Sequence, residues 1–136
     1  MRPGPASVDQ PFWTGGGLDT RRLLMIEPGA FLSILAREIP HSGAMVLCHF
    51  ARLDQALVRR VMPDCVVAPL FCPAFDIMEL VDLLTGSQYG GVLLIIAPPL
   101  PDPPMVIREL RAAGRGMTLQ LMVFDGRRLS WAQDQG

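Results

Sequence analysis

The chain has 136 residues, half of them hydrophobic, and a formal net charge of −1 at pH 7. This length suits one domain with a substantial core, and the near-neutral balance gives no whole-molecule pull toward nucleic acid or an acidic membrane surface. All twelve basic residues are Arg, which excludes any mechanism that needs a lysine.

Residues 1–20, MRPGPASVDQPFWTGGGLDT, read as a flexible arm. Pro and Gly break helix and strand alike, and Gly15-Gly16-Gly17 forms a hinge. The segment is too polar for a signal peptide. Phe12 and Trp13 form a large apolar pair within it, suited either to tuck against the domain or to dock on a partner. A globular domain then occupies 21–124.

Residues 23–26 make a short apolar strand. Pro28 suits the first turn of a helix, because its missing N–H costs nothing there. Phe31, Ile34, Leu35 and Ile39 follow at helical spacing until Pro40. A second strand covers 44–48. A helix over 51–62 turns Leu53, Leu57, Val58 and Val61 inward, and Pro63-Asp64 breaks it. The third strand is 65–68.

Asp76 is placed to cap the next helix, and Glu79 completes a capping box. Ile77, Leu80, Val81 and Leu84 form its buried stripe, and Gly86 is placed to end it. The fourth strand, 92–97, is apolar throughout and so is expected to be covered on both faces. Asp102 caps a helix that Pro103 enters, with Val106, Ile107 and Leu110 inward and Gly114 at its end. Residues 117–124 form a fifth strand. Such alternation implies βαβ units, a parallel sheet and right-handed crossovers, hence a three-layer α/β/α domain.

Beyond this the pattern changes. Asp125-Gly126 between two strand-like runs signals a tight hairpin. Residues 125–136 are too polar for a long amphipathic helix. An antiparallel sixth strand with Leu129 and Trp131 on one face is expected instead, followed by a tail. Cys48, Cys65 and Cys72 lie in or beside apolar runs without metal spacing, which suits small buried hydrophobes in a reducing cytoplasm. The longest apolar runs, such as 92–99, fall far short of the roughly 20 residues that a helix needs to cross a bilayer.

The segment 63–84, PDCVVAPLFCPAFDIMELVDLL, has a Pro-Asp pair, an apolar strand, a proline and an acidic helix start. Pro63-Asp64, Val66-Val67, Pro73, Asp76 and Glu79-Leu80 fit this register, and Leu24-Met25-Ile26-Glu27 fits a first strand with an acidic end. In these features residues 21–124 resemble the receiver domain of bacterial response regulators. The resemblance implies a flavodoxin-like, five-stranded parallel sheet of order 2-1-3-4-5, with the hairpin standing in place of the fifth helix.

The family's chemistry does not follow. In the same register the phosphoacceptor position falls on Pro69 and the hydroxyl position of the fourth strand on Ile96. Glu27, with Pro28 beside it, is all that remains of the acidic cluster for Mg²⁺, and the lysine is missing. Phosphoryl transfer needs a nucleophile and charge compensation, and Pro and Ile supply neither. The expectation is a pseudo-receiver: non-enzymatic, without metal or cofactor, acting on protein partners in signal transduction.

Gly15-Gly16-Gly17 and Gly90-Gly91 each precede a strand, so neither is a phosphate loop, which follows one. His41 and His49 are the two histidines. His49 ends the second strand, at the edge where ligands bind in open α/β sheets, with Glu27 and Cys72 as candidate neighbours. Pro98-Pro99-Leu100-Pro101 with Pro103-Pro104 makes a stiff loop there, either a plain connection or a docking surface.

The competing reading is therefore a flavodoxin-like small-ligand domain, with His49, Cys72, Pro98 and Pro99 at its ligand edge beside Glu27, Pro28 and Pro69. A hydrolase using Cys, His and Glu is a third, without a motif behind it. For protein partners, Phe12, Trp13, Leu129 and Trp131 are the candidate interface, with self-association through the 117–132 hairpin.

Overall fold

Runs of branched apolar residues in the middle of this chain pair with one another because each is apolar on both sides. In the computed structural model, which describes residues 22–29 and 45–132, they form β1 (Leu23–Ile26), β2 (Met45–Cys48), β3 (Cys65–Pro69), β6 (Val92–Ala97) and β7 (Thr118–Phe124). The arm with Phe12 and Trp13, the expected helix through Phe31 and Ile39, and residues 133–136 lie outside the described residues. Three helices are described: α1 (Gln55–Val61), α2 (Ile77–Gly86) and α3 (Pro103–Ala113). A short strand β8 (Leu129–Trp131) follows β7, and a two-strand ribbon, β4 (Phe71–Cys72) with β5 (Phe75–Asp76), links β3 to α2. The protein is thus mixed α/β.

The main sheet has six strands in the order β2-β1-β3-β6-β7-β8. All neighbours run parallel except β7 and β8, which are antiparallel. Alternate residues of each strand feed two cores. Leu24, Ile26, Val66, Ala68, Leu93, Ile95, Leu119 and Leu121 share one with the inward residues of all three helices. Leu23, Met25, Cys65, Val67, Leu94, Ile96 and Met122 form the other, flanked by Phe124, Leu129 and Trp131. Strands β1, β3 and β6 contribute to both, and their central residues are almost wholly buried.

Most helix signals act as read. Asp76 accepts from Met78 N at 2.9 Å, and Glu79 accepts from Asp76 N at 2.9 Å, closing the capping box. Asp102 accepts from Met105 N at 3.2 Å with Pro103 in the first turn. In the hairpin, Asp125 accepts from Arg127 N and Arg128 N, and Gly126 takes φ 102°.

One expectation is corrected. The helix expected over 51–62 is split. A 3-10 turn, Phe50–Arg52, comes first, and α1 begins only after Asp54, which accepts from Leu57 N at 2.8 Å. A good N-cap inside the apolar pattern restarts the helix. Gly86 is the last residue of α2, where the sequence placed its end, and the positive φ that follows falls on Gln88.

Leu93 and Leu94 are adjacent on β6, fully buried, and belong to opposite cores. Leu93→Ala and Leu94→Ala are each expected to cost about 3 kcal/mol, read by urea unfolding. A much smaller loss at Leu94 would mean that the second face is open to solvent.

Candidate functional site

Parallel strands all end at the same edge of the sheet, so the loops after β1, β2, β3 and β6 gather there. The end of β1 is bent. Glu27 takes φ 50°, a left-handed conformation that is uncommon for a residue with a side chain. Its N–H still donates to Cys48 O at 3.0 Å, so the bend occurs while the backbone remains tied to β2.

The Glu27 carboxylate explains what holds that bend. Oε2 accepts from Phe50 N at 2.8 Å, and Oε1 lies 3.3 Å from His49 Nδ1. The Phe50 N–H holds the carboxyl below its ordinary range; burial opposes it, and His49 adds a further lowering. The Phe50 ring stacks on Phe75 with centroids 4.6 Å apart. Phe50 therefore joins three loops: the end of β1, the turn after β2, and the β4–β5 ribbon.

Cys48 lies in the same corner, half-buried, its Sγ 3.2 Å from His49 O. Burial and then the Glu27 charge push its thiol up, the opposite of what a nucleophilic cysteine needs. Glu27, Pro28, Gly29, Leu47, Cys48 and His49 line a cavity of about 260 Å³.

Pro69 and Ile96, the positions that the sequence register aligned with a phosphoacceptor and a hydroxyl, are apolar neighbours. Pro69 and Ile96 are partners in the β3–β6 register, both are buried, and Leu70 N donates to Ile96 O at 2.8 Å. Past them, the ribbon exposes Phe71 by 66 %. Leu70, Phe71, Cys72, Phe75, Asp76 and Ile77 line a second cavity, of about 500 Å³.

Of the expected ligand edge, Glu27 and His49 meet. Cys72 does not share their cavity. It lines the ribbon cavity, because β4 and β5 fold the chain after β3 into a separate turn. Pro98 and Pro99 are exposed after β6, and Leu100 packs on the helix-side core. Cys65 is buried as expected, but Cys48 and Cys72 are only half-buried, because one lies on an outer strand and the other in the ribbon. Leu129 and Trp131 are half-buried against the second core. Among the described residues no group of three His, Cys, Asp or Glu side chains is placed to hold a metal. A larger groove, of about 640 Å³, lies at the opposite edge, between the amino ends of β3 and β6. No described helix is long and apolar enough to cross a membrane.

The role of Phe50 had no signal in the sequence, since its contribution is a backbone N–H and a ring stack. Cys48 could have been found, because it precedes His49 at the end of a strand. No protein-family model matches the chain, and no curated protein matches it.

Because the folded Glu27 carboxyl sits below its ordinary value of 4.5, its contribution is fully present above that value and is lost as the pH falls through the folded one. Glu27→Gln is expected to lower stability by about 1 kcal/mol at neutral pH and to approach the parent protein in acid. A constant gap between the two denaturation curves at every pH would refute an ionic role.

Proposed function

We propose that this chain is a non-phosphorylatable pseudo-receiver that binds other proteins through the carboxyl edge of its sheet. The reading is supported above all by the buried pair Pro69 and Ile96, which puts two apolar side chains where a receiver needs a carboxylate and a hydroxyl. Glu27 is already committed to Phe50 N and His49. In place of a charged pocket, the loops present apolar surface around Phe71, the kind of patch that marks an interaction site.

The finer architecture we propose is α/β/α, with the parallel strands in flavodoxin-like order. The sequence of β2, β1, β3, β6 and β7 across the sheet supports it. All three described helices pack on one face. The step from β1 to β2 crosses the sheet in the reverse direction from the later steps, so a right-handed connection there runs over the other face. The molecule then acts without catalysis or cofactor, in the cytoplasm, as a signalling module with protein partners, and self-associates through the 117–132 hairpin.

A second reading rests on the cavity at Glu27 and His49. A flavodoxin-like small-ligand domain would bind there. A molecule released from the native protein and identified by mass spectrometry would favour it over protein binding.

Small phosphodonors are expected to leave no acyl phosphate, and beryllofluoride with Mg²⁺ to leave the amides around Glu27 and Leu70 unshifted. Clustered shifts there would overturn the pseudo-receiver reading. Light scattering on the parent chain and on Trp131→Glu tests the hairpin interface. Association that weakens in the variant is expected, and a strict monomer in both removes that interface.

A further inference from the structure

Every residue of the second core, from Met45 on β2 to Trp131 on β8, belongs to a strand of the main sheet. The three helices, the 3-10 turn and the ribbon pack on the other face. A single layer of strands cannot shield its own face from water and has to bury it against another element. Yet within one chain Leu94 is 0 % exposed, Ile96 1 % and Met122 5 %. The residues that cover them therefore lie outside 22–29 and 45–132.

The width of the face decides which segment reaches them. Residues 30–44 leave β1 and return to β2, at one end of the strand order. A helix is about 10 Å across and covers roughly two strands at a spacing of about 4.8 Å. From β1 to β7 is three such steps, about 14 Å, so the β6–β7–β8 part of the face lies beyond that connection. Residues 133–136, Gln-Asp-Gln-Gly, bring no apolar side chain. Residues 1–21 enter at β1 and carry Phe12 and Trp13. The stretch from Trp13 to Arg22 extends to about 30 Å, well beyond the distance to β7.

This part of the face also asks for a hydrogen-bond donor. Gln120 stands opposite Leu94 in the β6–β7 register, and its neighbours Leu119 and Leu121 belong to the helix-side core, so its side chain lies on the second face. Its Oε1 is buried, and no described group donates to it. A buried acceptor without a donor is costly. Of the arm's two large side chains, Trp13 brings a donor in its indole N–H, a group that takes a partner when buried. Met122 and Trp131 face each other across β7 and β8 on the same side and supply apolar and aromatic surface beside Gln120.

We propose that residues 11–14 seat on the β6–β7–β8 part of the second face, with the Trp13 ring on Met122 and Trp131 and its indole N–H donating to Gln120 Oε1. The arm then forms the layer that no described helix supplies there. It competes with a second copy of the chain for the inner side of the hairpin, so self-association through that surface requires the arm to leave. The proposal does not rest on the protein-binding reading of the carboxyl edge.

Isotope-filtered NMR on the full chain, with labelled and unlabelled protein mixed, reads this contact and tells one chain from two. Expected are ring-to-methyl contacts from Trp13 to Met122 within one chain, and a Trp13 indole N–H that exchanges at least tenfold more slowly than a free indole. Gln120→Leu should keep the ring contacts and move the indole proton upfield as its acceptor is lost. Contacts to Met122 from Phe31, with the Trp13 indole in fast exchange, would overturn the proposal in favour of the β1–β2 connection. Trp13 contacts seen only between labelled and unlabelled chains overturn it as well, because the cover then comes from a second copy. An indole proton that Gln120→Leu leaves in place rules out the hydrogen bond.

Discussion

Burial of one sheet on both faces is the constraint on which the rest of this molecule depends. Strands β1, β3 and β6 lie between neighbours on each side and feed both cores. A polar side chain in their middle would lose its water with no partner to replace it, at a cost of a few kcal/mol. Their residues are therefore apolar at every position, down to Cys65, which acts as a small hydrophobe. Polar chemistry is pushed to where the strands stop.

At the carboxyl edge this constraint extends further than usual. Pro69 and Ile96 carry the apolar interior to the last residue pair of β3 and β6. The first acidic group met on leaving the sheet is Glu27, and it serves the backbone, anchoring Phe50 N while its own backbone is held in a left-handed turn. That carboxylate is committed to local architecture, and burial and then the Glu27 charge push the Cys48 thiol up. Phe71 and Leu47 are exposed apolar residues near this edge, as are Met78 and Met105.

Much of the fold was legible in the sequence because its signals are local. β1 and β6 have the bounds that their apolar runs indicate, and the Asp76 and Asp102 caps act at the residues that mark them. The misreading arose where two local signals compete. Apolar spacing carried one helix across 51–62, but Asp54 in its midst starts a new one. The ribbon of β4 and β5 went unread because two-residue strands have no period. The site was half legible. The pairing of Glu27 with His49 follows from strand ends meeting at one edge, whereas the separation of Cys72 depends on the path of a short loop.

The buried Pro69–Ile96 pair also bears on how such a surface could be regulated. A carboxylate at that point can be charged and discharged, and the loops above it can hold two shapes. A proline and an isoleucine have nothing to titrate, modify or coordinate. On the proposed reading, a switch at that point would need a ligand that distinguishes two shapes, and neither side chain offers a group to bind one. On that proposed reading, occupancy of a surface at this edge would follow the amounts of the protein and of its ligand, so that information would enter through abundance.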